Sequence, residues 1–134
     1  MDINYILLIK NFITLQFIYY FYLFLYLISS WIFSMHLIYD NLEQIYTLCR
    51  KYGVKTLCVF GSILTPRFNE NSDVDFSATF YPEEDPLVAG ENRIQFYISL
   101  EDLMGRRIDL VDEDNLKNKY FIEELEETKQ KIYG

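Results

Sequence analysis

From Asp73 to Phe80 the chain alternates, with Val74, Phe76, Ala78 and Phe80 on one side and Asp73, Asp75, Ser77 and Thr79 on the other. A period of two predicts a strand with one face in a core and the other carrying polar groups. Carboxylates at i and i+2 then share a face, roughly 7 Å apart. The run Thr56-Leu57-Cys58-Val59-Phe60 is β-branched and apolar, which predicts a second, buried strand delivering Gly61-Ser62 into a sharp turn. In Arg107-Ile108-Asp109-Leu110-Val111 the same alternation turns Asp109 away from Ile108 and Leu110. A third carboxylate is thereby placed on the polar face of another strand.

Each piece alone is ordinary. A Gly-Ser turn after a strand is common, acids on a solvated strand face are common, and Asp109 could be a soluble charge on an edge strand. Taken together they say more, because facing acids repel unless a cation joins them, and no dense basic cluster in the sequence offsets them. Hard oxygen ligands select magnesium or manganese over zinc, and two such carboxylates can converge on ions held about 3.5 to 4 Å apart. Gly61 has no side chain to keep a phosphate away. Ser62, opening a short helix that Pro66 ends early, offers its hydroxyl and first-turn amides to an anion. The expectation is a metal-dependent phosphoryl-transfer site.

At these residues the chain resembles the minimal nucleotidyltransferases of the DNA polymerase β superfamily, whose signature is Gly-Ser, a spacer, then Asp-x-Asp. The likeness runs from about Leu37 to Gly134. It takes in Val59-Phe60-Gly61-Ser62, Ser72-Asp73-Val74-Asp75-Phe76, Gly105-Arg106-Arg107-Ile108-Asp109-Leu110-Val111 and the closing Lys129-Gln130-Lys131-Ile132-Tyr133-Gly134. It implies that Gly61 and Ser62 hold the triphosphate and that Asp73, Asp75 and Asp109 bind two magnesium ions, with Asp109 also the general base. The implied substrate is a nucleoside triphosphate, ATP first among them. Many members carry Arg directly after the Gly-Ser; this chain has Ile63, and Arg67 is the nearest cation. Some relatives are antitoxins that adenylylate a partner toxin of the HEPN class, and the small size of this chain resembles that form. The alternative is a non-catalytic or weakly active module that binds a partner through its acidic surface.

The remaining pattern suits one α/β (α+β) domain over residues 35–134. Asp40-x-x-Glu43 reads as a capping box opening a helix that Gly53 ends, and Tyr81 to Gly90 reads as a loop broken by Pro82 and Pro86. Ile94, Tyr97, Ile98, Glu101 and Leu103 outline an amphipathic helix ending at Gly105, and Ile122, Leu125, Lys129 and Ile132 a final one. The predicted order is helix, strand, strand, helix, strand, helix: a small mixed sheet with helices packed on one side. Three strands leave no separate domain for an acceptor, so the acceptor surface is expected on another chain.

Residues 1–34 differ abruptly. Tyr5 to Phe33 is almost wholly apolar or aromatic, and the uncharged stretch from Leu15 to Phe33 is long enough to cross a bilayer. Two readings stand: a membrane anchor, or an AT-rich leader translated ahead of a true start at Met35. The second is preferred. Asp2 and Lys10 cancel, so the domain carries the whole net charge of −8. That excess argues against general nucleic-acid binding, which needs a basic surface. Arg106 and Arg107 read as a solvated pair near a helix end, although Arg106 could help Arg67 offset nucleotide charge. Cys49 and Cys58 lack metal-ligand spacing and read as buried, reduced thiols, in keeping with a cytoplasmic domain. His36, the single histidine, reads as incidental.

Overall fold

The computed structural model describes residues 3–134; Met1 and Asp2, the first residues of the apolar segment, lie outside the described residues. Four strands, β1 (Val54–Phe60), β2 (Val74–Phe80), β3 (Ile108–Asp112) and β4 (Gln130–Tyr133), form one sheet in the order β3-β2-β1-β4. β1 runs antiparallel to both β2 and β4, whereas β2 and β3 are parallel. A parallel pair needs a crossover, and α3 (Pro86–Met104) supplies it.

The alternation sorts the sheet as expected. Leu57 and Val59 of β1, Val74, Phe76, Ala78 and Phe80 of β2 and Ile108 of β3 are buried in one core cluster. Against them pack Ile45 and Cys49 of α2 (Leu42–Lys51) and Phe96, Leu100 and Met104 of α3. Rings close the gap between helices and sheet: Phe96 stands edge-on to Phe80 and Tyr52, at 6.2 and 6.3 Å between centroids. Burying a side chain such as Phe76 or Phe96 contributes roughly 1.5–3 kcal/mol.

Several local expectations shift. The closing residues are not helical: α4 (Lys119–Thr128) ends before Lys129, and β4 follows, paired with β1 from Leu57 to Val59. Four strands replace the expected three, because the helical spacing of Leu125, Lys129 and Ile132 also fits the last turn of a helix followed by an alternating strand. Asp40 does not cap α2. Asn41 holds the cap position without a side-chain cap bond; its amide nitrogen donates to Leu37 O at 2.9 Å, so it closes the preceding helix instead. Pro86 is the first residue of α3 rather than a loop breaker, a place where its missing N–H costs nothing, and the Asp85 carboxylate accepts from the Leu87 amide at 2.9 Å. The buried row of α3 is Phe96, Leu100 and Met104, spaced by four; Ile94 and Ile98 face solvent, Ile94 at 61 % exposure. Gly105 ends α3 in the left-handed region as expected, with φ 62°.

α1 spans Ile3–Tyr39 as one helix that passes residue 35 unbroken, with Ser34 and Ile38 buried at its lower end. His36 lies on its exposed surface beside Asp40. Leu8–Ser29 is long and apolar enough to cross a membrane by length and composition, and none of it is buried. Within that stretch the Thr14 and Ser29 hydroxyls donate back to the carbonyls of Lys10 and Tyr26, each at 2.8 Å.

Candidate active site

The face of the sheet turned away from α2 and α3 carries the polar half of the alternation. In register, Phe60 of β1 pairs with Asp75 of β2, and Asp75 pairs with Asp109 of β3, making one row across three strands. Neighbouring strands lie about 4.8 Å apart, so the Asp75 and Asp109 side chains rise side by side. Asp73 is exposed and sits one residue ahead of β2, whose first hydrogen-bonded residue is Val74. Asp75 and Asp109 therefore share one row of this face, and Asp73 leads into the same end of β2.

Directly beyond β1 the chain turns through a short 3-10 helix, Gly61–Leu64, which stops ahead of Pro66. Gly61 has φ +70°, and a Cβ built there would collide with Asp75 Oδ2. The turn is thus pressed against the carboxylate, and the positive φ favours glycine there. The Ser62 amide donates to the Asp75 carboxylate, while Ser62 O accepts from both the amide and the hydroxyl of Thr65, each at 2.9 Å. Ile63 points into the core, 3 % exposed, and offers nothing to a ligand. Arg67 is exposed and shares with Gly61, Ser62 and Thr65 a cleft of about 750 Å³.

The far wall of that cleft comes from α4, through Phe121, Glu124, Leu125 and Thr128. Phe121 meets Phe60 edge-on at 6.2 Å, and Leu125 is buried beneath. Sequence reading did not connect α4 to the Gly-Ser turn; no spacing rule links elements so far apart along the chain. A smaller cavity of about 190 Å³, between the end of α1 and β4, is lined by Ile38, Leu42, Tyr46, Ile63 and Ile132 among others and by no acidic residue.

Electrostatics follow from this crowding. Burial raises the Asp75 carboxyl above its ordinary range and Asp109 raises it further; the Ser62 amide pulls the other way, and Asp73 adds a last upward push. Among the described residues no three acidic, histidine or cysteine side chains form a ready-made ligand set. The donor chemistry nonetheless fits a divalent cation: hard oxygens from two adjacent strands, mutually repelling, beside a turn with room for a phosphate and none for a side chain.

Behind the acidic row, Lys129 bonds Glu113 at 2.8 Å and also Glu126, joining the α4–β4 junction to the segment after β3. Burial works against the lysine's charge, but the two carboxylates outweigh it and raise its pKa. Arg106 is not a loose surface cation: its Nη1 donates to Asn69 O and Ser72 O, each at 3.1 Å. Both cysteines are free and buried, as read from the sequence; burial pushes the Cys49 thiol up to about 12 and raises that of Cys58.

Comparison with known proteins bears on this arrangement directly. The family described as polymerase beta, nucleotidyltransferase matches residues 43–134. The protein adenylyltransferase MntA of Thermococcus cleftensis is 36 % identical over 84 residues, covering 59 % of this chain and 81 % of that one. A chain of Methanocaldococcus jannaschii, named as a candidate protein adenylyltransferase, is 38 % identical over 80 residues, covering 60 % and 78 %. Among solved structures, a minimal nucleotidyltransferase superposes with a TM-score of 0.57 at 26 % identity, covering 69 % of this chain and 90 % of that one. A toxin-antitoxin complex with AMP-PNP shares the fold, at TM-score 0.55 and 20 % identity, covering 70 % of this chain and 73 % of that one. With the Gly-Ser turn seated against Asp75 and Asp75 paired to Asp109, the chain belongs to the polymerase β nucleotidyltransferase family, and it is a nucleotidyltransferase.

Proposed function

We propose that this enzyme transfers AMP from ATP to a hydroxyl group on a partner protein, in the manner of an antitoxin that modifies a HEPN-type toxin. The observation that carries the reading is the row Asp75–Asp109 beside a turn where a Cβ would strike Asp75 Oδ2. Gly61 and the Ser62 hydroxyl hold the triphosphate, with Arg67 at the rim of the cleft offering a charge to it. Asp73, Asp75 and Asp109 would be the residues to hold two magnesium ions. When bound, such ions neutralise charge on the attacking and leaving oxygens of an in-line displacement. Asp109, in this scheme, accepts the proton of the acceptor hydroxyl as its oxygen bonds the α-phosphorus. The bond from that phosphorus to the bridging oxygen breaks, and pyrophosphate leaves. Support for a protein acceptor comes from the protein adenylyltransferase names of the relatives.

The test is incubation with labelled ATP, magnesium and the product of the adjacent gene. Label should pass to that partner, and Asp73→Asn, Asp75→Asn or Asp109→Asn should lower the rate by about 10²- to 10³-fold while the circular dichroism spectrum is kept. A partner that stays unlabelled argues against the acceptor; unchanged rates in all three variants argue against the carboxylates.

The exposed Leu8–Ser29 stretch favours a second reading of location. At 1.5 Å per residue it matches a hydrocarbon core of about 30 Å, and would hold the domain at the cytoplasmic face of a membrane. Without that stretch the domain is cytoplasmic.

A further inference from the structure

Asp73 stands outside the sheet, so no strand pairing of its own sets its position. The ten-residue spacer before it ends in a compact turn: Ser72 N–H donates to Asn69 O at 3.1 Å, Asn69 N–H to Ser72 Oγ at 3.1 Å and Asn71 N–H to Asn69 Oδ1 at 2.9 Å. Onto this turn reaches Arg106, from the link between α3 and β3. Its Nη1 donates to Asn69 O and to Ser72 O, and its guanidinium lies 5.2 Å from the ring centre of Phe68, which is 1 % exposed. The Ser72 carbonyl belongs to the peptide that leads into Asp73. The next peptide is held from the same link, because the Val74 amide donates to Arg107 O at 3.1 Å. Two planar groups flank the Asp73 Cα, and both are tied to Arg106-Arg107. Three residues after Arg106 comes Asp109.

We propose that Arg106 is a positioning residue, whose guanidinium sets Asp73 against Asp109 by fastening the spacer turn to the base of β3. This rests on the reading of the three acids as metal ligands. Arginine suits the task where lysine does not: a flat cation can lie over Phe68 and point its N–H groups at two carbonyls, whereas an ammonium keeps the charge without the plane. Its Nη1 is directed at the spacer, so that bond acts on the geometry of the acids.

Manganese binding to the full-length chain, followed by the loss of the free-ion electron paramagnetic resonance signal, tests this without any turnover. Wild type, Arg106→Ala, Arg106→Lys and Tyr52→Phe are compared alongside thermal melts. Tyr52→Phe removes a 3.2 Å bond to Ser99 on the opposite side of the fold and serves as the stability control. Arg106→Ala should weaken manganese binding by about 10- to 100-fold, Arg106→Lys should fall between it and wild type, and Tyr52→Phe should bind as wild type does whatever its melting temperature. If Arg106→Ala does not fold, Arg106→Lys alone decides. Wild-type affinity in a folded Arg106 variant overturns the proposal and leaves the metal reading standing. Failure of the wild type to bind manganese, or binding undiminished by Asp73→Asn, overturns both.

Discussion

Gly61 shows how one backbone position joins fold to chemistry. With φ +70° and Asp75 Oδ2 where a Cβ would lie, Gly61→Ala meets both a conformational and a steric penalty. Urea titration should find a loss of about 1–2 kcal/mol from the left-handed backbone alone. Nucleotide affinity should fall further than stability does, because Asp75 must move to make room. Cys49 makes the opposite case, a reactive group without a role: fully buried, with its thiol pushed up to about 12, it should resist iodoacetamide at pH 8 until the protein is unfolded. Labelling of Cys49 at the same rate in native and denatured protein would contradict the packing of α2. Both glycine and cysteine were marked by the sequence; only the fold shows that the Gly61 constraint is a carboxylate.

Among elements, β4 and α4 changed most between expectation and structure. Spacing alone read Lys129 as a helix residue, whereas it ends α4 and ties that junction to Glu113 beyond β3. Lys129→Met leaves Glu113 short of a partner and should cost about 2 kcal/mol at neutral pH. The folded pKa of Lys129 lies above its unfolded value, so its contribution is complete below the unfolded lysine pKa of about 10.4 and is lost as pH rises through the folded value. Chemical denaturation should therefore show a gap between wild type and variant at neutral pH that narrows as pH rises through the folded lysine value. A gap that closes on acidification to pH 7 would show that the pair does not stabilise the fold. α3 teaches a related lesson: spacing outlined its amphipathic face through Ile94, Tyr97, Ile98, Glu101 and Leu103, whereas packing in the core buries Phe96, Leu100 and Met104 and leaves Ile94 and Ile98 exposed.

For the whole molecule, the open question is how a small acidic domain relates to a long exposed helix. Because Leu8–Ser29 is apolar all round rather than along one stripe, the full chain should float with neutral phosphatidylcholine vesicles and stay bound in high salt. Recovery of the full chain in the soluble fraction would count against a bilayer anchor. The sequence by itself determined the strands β1, β2 and β3 and the helix α2 to within a few residues, the end of α3 at Gly105, and the Gly-Ser turn after β1. It could do so because period-two alternation and glycine punctuation are local consequences of backbone geometry. Only the tertiary structure decided that β2 and β3 run parallel with Asp75 opposite Asp109, that α4 walls the cleft, and that Arg106 holds the turn before Asp73. Those facts depend on which distant segments pack together. That choice rests on the fit of whole surfaces, which no short stretch of residues encodes.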